Sequence, residues 1–568
     1  MRDLKTVEKP SYISSGSYVL RTRTLIAAAL AVVLAQMALA IPASLNGLFQ
    51  QDLGTSSAQL TWISDVFLVP VVVLELTFGV LGDLFGRKRL LVVGALLIAV
   101  GELIGVLTPG ASLPTGTRLL VLYTGIALAG IGAAALFPSS LAMLAAGTHK
   151  TQARVRAVAI WAAALSIGNC TSPILGGLAA KLPFGADPLA GWRWAFLVVM
   201  TFALISALVS ATAAENSSSP EGRSLDLRGQ ATIAVALCAL LYTVIQGPAD
   251  GWLSWPVVAA IGVAVVFLML FVVAERRSGA PLLRLDFFHN RNFAIASIVT
   301  VIGMFAFLGV AYSTSIRMSA IQGFSPLKTS LAFLCLNGMA LIQLPITIRL
   351  LSRHTARWPL TAGLVLMAAG ALWMASVPAS NFSLAPVIPA FIVVGAGFGL
   401  ALSALTMVAV STPPTHLAGM ASGTTNMLRD FGFTLGPAVI GAVALSQAAD
   451  QIRQRLAGSA TLRRDLAAFV ASPAHVPTAQ QAAVEGAVHA VQSGPLGANA
   501  VPAAIPGPGG RLLPFNPLKP VAFDALGHSY ALGFVLSGAA ALLAAALTVI
   551  GMPARTDDTM LDLEALDD

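Results

Sequence analysis

The chain has 568 residues, of which 57% are hydrophobic and 10% charged, and its net charge is +8. Water-soluble domains carry about 25% charged residues, so an ordinary soluble enzyme is excluded and lipid is the expected solvent. The basic excess forms no run apart from the loops that flank apolar segments, so it reads as orienting charge and not as a nucleic-acid surface.

A polar N-terminal stretch with Arg2, Lys5, Lys9, Arg21 and Arg23 leads into a full-length apolar segment without a small-residue cleavage site, which predicts a retained anchor. From there, blocks long enough for a helix to cross about 30 Å of hydrocarbon recur along the chain. Their expected positions are 25–46, 60–81, 90–108, 118–146, 156–180, 193–213, 229–247, 255–274, 293–315, 328–349, 359–377, 386–410, 419–445 and 528–552. The blocks are continuous and do not alternate, so spanning helices and not barrel strands are predicted. An even number of spans puts both termini on one side. Among the short loops of the opposite side only Arg118, Lys181, Arg193, Arg317 and Lys328 are basic, which predicts cytoplasmic termini in a bacterial inner membrane. Cys170, Cys238 and Cys335 fall within spans and are read as small apolar residues.

The segment 446–527 is the longest stretch outside the spans. Ile452, Leu456, Leu462, Leu466 and Phe469 recur at near-helical spacing, 478–492 is a second helical segment capped by Thr478, and a Pro/Gly-rich stretch from Pro502 to Pro517 is expected to be irregular. A solvated connector is preferred over an amphipathic hairpin covering the outer mouth. The last sixteen residues form an acidic tail.

Between the second and third spans lies Gly79-Val80-Leu81-Gly82-Asp83-Leu84-Phe85-Gly86-Arg87-Lys88-Arg89. Its glycines permit a sharp turn, and Asp83 stands where Arg87 and nearby helix N-termini can pair with it. This resembles the G-x-L-x-D-x-x-G-R-K/R loop of the major facilitator superfamily, which implies a conformational gate made of Gly82, Asp83, Gly86 and Arg87. The resemblance continues through Trp62-Ile63-Ser64-Asp65, Trp192-Arg193-Trp194-Ala195-Phe196 and the stretch from Gly423 to Gly436. With fourteen spans it is similar to the drug:proton antiporter subfamily. The implied fold is all-α: two six-helix bundles, 25–213 and 293–552, the second including the outer loop 446–527, with an inserted helix pair and its links at 214–292. The tails are 1–24 and 553–568. A weak repeat agrees, since aligning Gly86 with Thr355 also aligns Gly94 with Gly363 and Lys88 with Arg357, while Asp83 meets Ser352.

In the fifth span, Gly168, Pro173, Gly176 and Gly177 resemble the antiporter motif of exporters, with Ser172 replacing one glycine; a bend and close helix packing are expected there. Two charges usual in the family are missing. Ile126 stands for a membrane arginine in the fourth span and Val33 for an acidic residue in the first. Carboxylates inside hydrocarbon are costly and usually functional, so Asp65, Glu75, Glu102 and Asp430 with its neighbour Arg429 are the proton or substrate candidates. Asp65 and Glu75 are separated by about 80° and about 15 Å on an ideal helix and cannot form a pair. Gln36, Asn169, Asn337, Gln343 and Asn426 are secondary polar candidates.

There is no Gly-Lys dipeptide for a phosphate loop and no His-Glu pair for a zinc helix, so no enzyme, cofactor or metal is expected. The expected function is export of hydrophobic or cationic small molecules by proton antiport, by a monomer, as the resemblance implies. The alternatives are an exporter of a lipid or endogenous metabolite with atypical coupling, and a non-transporting receptor or scaffold.

Overall fold

The computed structural model describes residues 20–552 apart from 111, 149–150, 180, 186–188, 219–225, 280, 282, 284, 412–417, 473–477 and 507–511. The basic stretch before residue 20 and the acidic tail lie outside the described residues, as does the side chain of Thr478 with its expected cap.

The chain winds through α1 (Thr22–Leu53), α2 (Ser57–Phe85), α3 (Arg87–Val106), α4 (Thr115–Ala146), α5 (Thr151–Ala179), α6 (Trp192–Ala213), α7 (Leu227–Asp250), α8 (Trp255–Arg277) and α9 (Arg291–Ser315). It continues with α10 (Pro326–Ile342), α11 (Leu344–Arg353), α12 (Arg357–Ser376), α13 (Val387–Ser411), α14 (Ala418–Gly458), α15 (Ala460–Ala471), α16 (Thr478–Gln492), α17 (Pro495–Ala500) and α18 (Lys519–Gly551). The non-helical exception is a ribbon of two three-residue strands, Ala504–Pro506 and Leu512–Pro514. Among the described residues 12 helices are long and apolar enough to span a membrane, and 13 if the bent pair α10–α11 counts as one span. The remaining predicted span is α5, a continuous helix of 29 residues that carries Asn169, Thr171 and Ser172.

Local chemistry sets the turns. Gly54, at φ 63°, closes α1 by donating to the Gln50 carbonyl, and two residues later Ser56 and Gln59 cap each other to start α2. The predicted span 328–349 is broken, because Pro345 removes a helical N–H and α11 departs from α10 by 45°.

The two halves pack alike. In the first, α1 lies on α5, α2 on α4, and α3 on both α4 and α6. In the second, α9 lies on α14, α10 on α13, and α12 on both α13 and α18, the same pattern one repeat later. The aligned glycines explain part of it. A Cβ on Gly94 would stand 2.7 Å from the Gly132 carbonyl oxygen, and one on Gly363 would stand 2.6 Å from that of Gly397, so each half has a crossing only glycine permits.

The halves meet along two seams, α2 with α14 and α5 with α10, and α7 lies over the α2–α14 seam with α8 outside it. Gln230 of α7 donates to the Val73 carbonyl (2.6 Å) and bonds the Thr77 hydroxyl, and Trp62 donates to Gln246 (3.4 Å), which ties α7 to α2 at both ends. Toward α14 the same surface is apolar, built from Val72, Leu76, Ile233, Phe271 and Met427.

The segment after the thirteenth predicted span departs from the expected connector. Polarity ends the apolar block near residue 445 but Ala, Gln and Arg sustain the helix, so α14 runs 41 residues to Gly458. Ile452, Phe469, Val484, Leu496 and Phe515 then join the apolar cluster of Leu45, Phe49 and Leu53 from α1. The short α17 sits against α18 and the π-helical turn Ile316–Ile321, where Asn499 donates to the carbonyls of Ala320 (3.0 Å) and Ile321 (3.3 Å). These residues form a cap on the end of the bundle opposite Arg87. They also bring α18 forward to Lys519, nine residues ahead of the expected 528.

Candidate transport site and gate

At the Arg87 end, α2 stops at Gly86, whose φ of 100° favours glycine and whose Cβ would strike Asn216 Oδ1 at 2.4 Å. The reversal puts Arg87 Nη2 2.7 Å from Asp83 Oδ1, with both side chains under a tenth exposed. Arg87 is also held by the strand of chain after α6: its backbone N–H donates to the Ser217 carbonyl (3.0 Å) and Nη1 to Ser217 Oγ (3.4 Å). Gly82, Asp83, Gly86 and Arg87 therefore converge on one buried knot.

Asp65 is fully buried, and neither carboxyl oxygen has a hydrogen-bond partner among the described residues. One turn away, Thr61 bonds the Tyr312 hydroxyl of α9 (3.1 Å), and Tyr312 lies beside Tyr530 of α18, ring centroids 6.3 Å apart. Asp65, one turn from Thr61 on α2, therefore lies close to this tyrosine pair of the second half.

Deeper on α2, Glu75 meets α14. Arg429 grips Asp430 with two hydrogen bonds, Nε to Oδ1 at 2.6 Å and Nη2 to Oδ2 at 2.9 Å, and donates from Nη1 to Asn426 Oδ1 at 3.1 Å. Glu75 faces both members of that pair. Phe137 of α4 covers the guanidinium at 5.3 Å. Neither Glu75 oxygen has a hydrogen-bond partner among the described residues. Glu102 is buried on α3, whose main neighbours are α4 and α6, and it stands away from this group.

The α5 motif packs both ways. A Cβ on Gly168 would lie 2.7 Å from Gln36 Cβ and 2.8 Å from the Val33 carbonyl, and Gln36 donates to Asn169 across the same crossing (2.8 Å). Ser172 bonds the Gly168 carbonyl, and the Pro173 carbonyl accepts from Ser330 of α10. Gly176 and Gly177 are buried on the same helix. Asn337 donates to the Phe333 carbonyl one turn back on α10, and Gln343 to the Ala396 carbonyl of α13, the latter as a helix-packing amide does. Ile126 is buried in the apolar core.

One hub has no counterpart in the sequence reading. Asp52 at the end of α1 receives Arg118 Nη2 (2.6 Å), Trp192 Nε1 (2.7 Å) and Arg193 Nη1 (3.5 Å), joining α1, α4 and α6. Its partners looked like ordinary loop charges, and no local spacing links them to Asp52.

Two pseudo-repeated helical bundles, a charged turn at one end, and buried carboxyl groups at the seam between them define a polytopic secondary-transporter fold. The sequence profile of the Major Facilitator Superfamily matches residues 26–437. The chain belongs to that superfamily. It is 32% identical to "Multidrug resistance protein Stp" of Mycobacterium tuberculosis over 394 residues, 69% of this chain and 70% of that protein. It is 28% identical to "Tetracenomycin C resistance and export protein" of Streptomyces glaucescens over 538 residues, 94% of this chain and 92% of that one. Among solved structures, the bacterial homolog of the human lysosomal transporter Spinster in its inward-facing and unoccupied conformation aligns with a TM-score of 0.60 at 15% identity, covering 95% of this chain and 98% of that one. That last likeness concerns the fold alone.

Proposed function

We propose that the chain is a bacterial inner-membrane exporter of hydrophobic or cationic small molecules, coupled to proton entry, in which residues 25–213 and 293–552 rock about the bilayer midplane as a monomer. The inserted pair within 214–292 accompanies them. The Arg87 end faces the cytoplasm, in keeping with the arginine bias of its loops, and the Asp83–Arg87 knot latches that side. The observation that carries the reading is Asp65: a carboxyl fully buried between the halves without a partner, a position that suits a group alternately protonated and exposed. The resistance and export proteins to which the chain is similar support the direction and the substrate class.

Ethidium efflux from energised cells tests it. Efflux by the wild type is expected to collapse with an uncoupler, and Asp65→Asn to reduce it about tenfold or more. A correctly inserted wild type without ethidium efflux would turn the assignment toward a lipid or endogenous metabolite.

A further inference from the structure

The proton-coupled reading rests on Asp65, and the α2–α14 seam offers a second place where a proton can be held. Three buried ionisable side chains lie on that seam: Glu75 of α2, next to Leu76, and Arg429 and Asp430 of α14, near Met427, with Leu76 and Met427 packed in one apolar cluster. All three are at least 95% buried. Arg429 spends two of its N–H groups on Asp430 and a third on Asn426, and its outer face is closed by Phe137. Two carboxylates beside one guanidinium would leave an uncompensated negative charge inside hydrocarbon, which is costly. Two abutting carboxyl groups also cannot both be ionised cheaply, and one proton between them turns a repulsive acceptor–acceptor contact into a hydrogen bond.

Among the described residues no other charge competes for the position. α7 meets this stretch of α2 through uncharged Gln230, α4 brings Phe137, and α14 contributes only Arg429 and Asp430. On α2 itself, Asp65 lies about 15 Å away along the helix. Asp83 is engaged with Arg87. The α7–α8 pair covers the outside of the seam, Ile233 of α7 and Phe271 of α8 packing with Met427 of α14 in one apolar cluster, so water is expected to reach the triad when the halves part.

We infer that Glu75 and Asp430 share a single proton across the α2–α14 seam, that Arg429 balances the remaining charge, and that this pair is a second proton-carrying centre of the transport cycle beside Asp65. The inference rests on the antiport reading but deepens it by residue. When the halves separate, the Glu75 O–H loses its acceptor, water enters, and the proton leaves Glu75 as the Arg429–Asp430 ion pair stays intact. A cationic substrate compensates the negative charge left behind.

Two measurements on the purified full-length protein test this. Infrared difference spectra recorded on adding ethidium are expected to show loss of a protonated-carboxyl C=O band in the wild type and in Glu102→Gln. That band should be absent in both Glu75→Gln and Asp430→Asn. In proteoliposomes, Glu75→Gln should lower pH-gradient-driven ethidium accumulation about tenfold while leaving gradient-free ethidium exchange within about twofold of wild type. Glu75→Gln keeps Arg429 paired, so the test does not depend on Asp430→Asn folding. An unchanged band, or unchanged gradient-driven accumulation, in Glu75→Gln overturns the proposal. A wild type that shows the band but ignores the pH gradient overturns the antiport reading instead and leaves the shared proton standing.

Discussion

The two seams that join the halves occupy equivalent places in the repeat and are built from opposite materials. The α5–α10 seam is neutral: the Ser330 hydroxyl bonds the Pro173 carbonyl, and Gly338 passes the Cys170 sulfur with a Cβ distance of 3.9 Å. The α2–α14 seam holds Glu75, Arg429 and Asp430, and α7 and α8 cover it. Pseudo-symmetry therefore repeats the backbone geometry but not the chemistry. One seam is a packing surface of small residues, and the other stores charge and needs insulation from lipid.

That contrast can be broken in order of severity. Arg429→Leu should be the most damaging change, costing about 3–5 kcal/mol because it strands two carboxyl groups without a cation. The expected outcome is a sharp loss of monodisperse protein after mild heating in detergent. Gly168→Val places a side chain where even a Cβ has 2.7 Å, and overpacking of that kind costs about 1–3 kcal/mol. Its thermal midpoint should fall, and ethidium efflux with it, although no charge is touched. Gln230→Leu removes one of the two ties between α7 and α2, worth about 1 kcal/mol. It should expose the triad to lipid-side reagents, read as faster quenching of a tryptophan placed at Phe431 by a brominated lipid. Ser330→Ala should be the mildest, at about 0.6 kcal/mol, with efflux near wild type. A Ser330→Ala defect as large as that of Arg429→Leu would erase the distinction between the seams.

Much of the architecture is readable from residue order because hydrocarbon imposes a length on every span and the Gly82–Arg87 turn is local chemistry. Gly94 and Gly363 likewise carry their meaning in the chain, since each repeats at the same place in a packing pattern. Features that depend on distant partners are not readable that way. In the sequence Glu75 and the Arg429–Asp430 pair are separate candidates more than 350 residues apart; only packing of α2 on α14 brings their helices together. Asp52 was hidden for the same reason, its arginines lying on α4 and α6. Hydropathy also cannot report where a helix ends once it leaves the apolar layer, so the polar continuation of α14 and the burial of Ile452 and Phe469 in a cap escaped it. The bend at Pro345 sits inside a block whose mean apolarity is unaffected by it.

The length of α14 has a mechanical consequence. From Asp430 to Gly458 it is one helix of 28 further residues, about 42 Å at 1.5 Å per residue. A tilt of about 5° pivoted at the charged triad sweeps the far tip through about 4 Å, more than the 3.0 Å that separates Asn499 from the Ala320 carbonyl in the cap. A displacement too slight to register among the packed side chains at the pivot is thus magnified at the opposite face of the protein into one that exceeds a hydrogen bond.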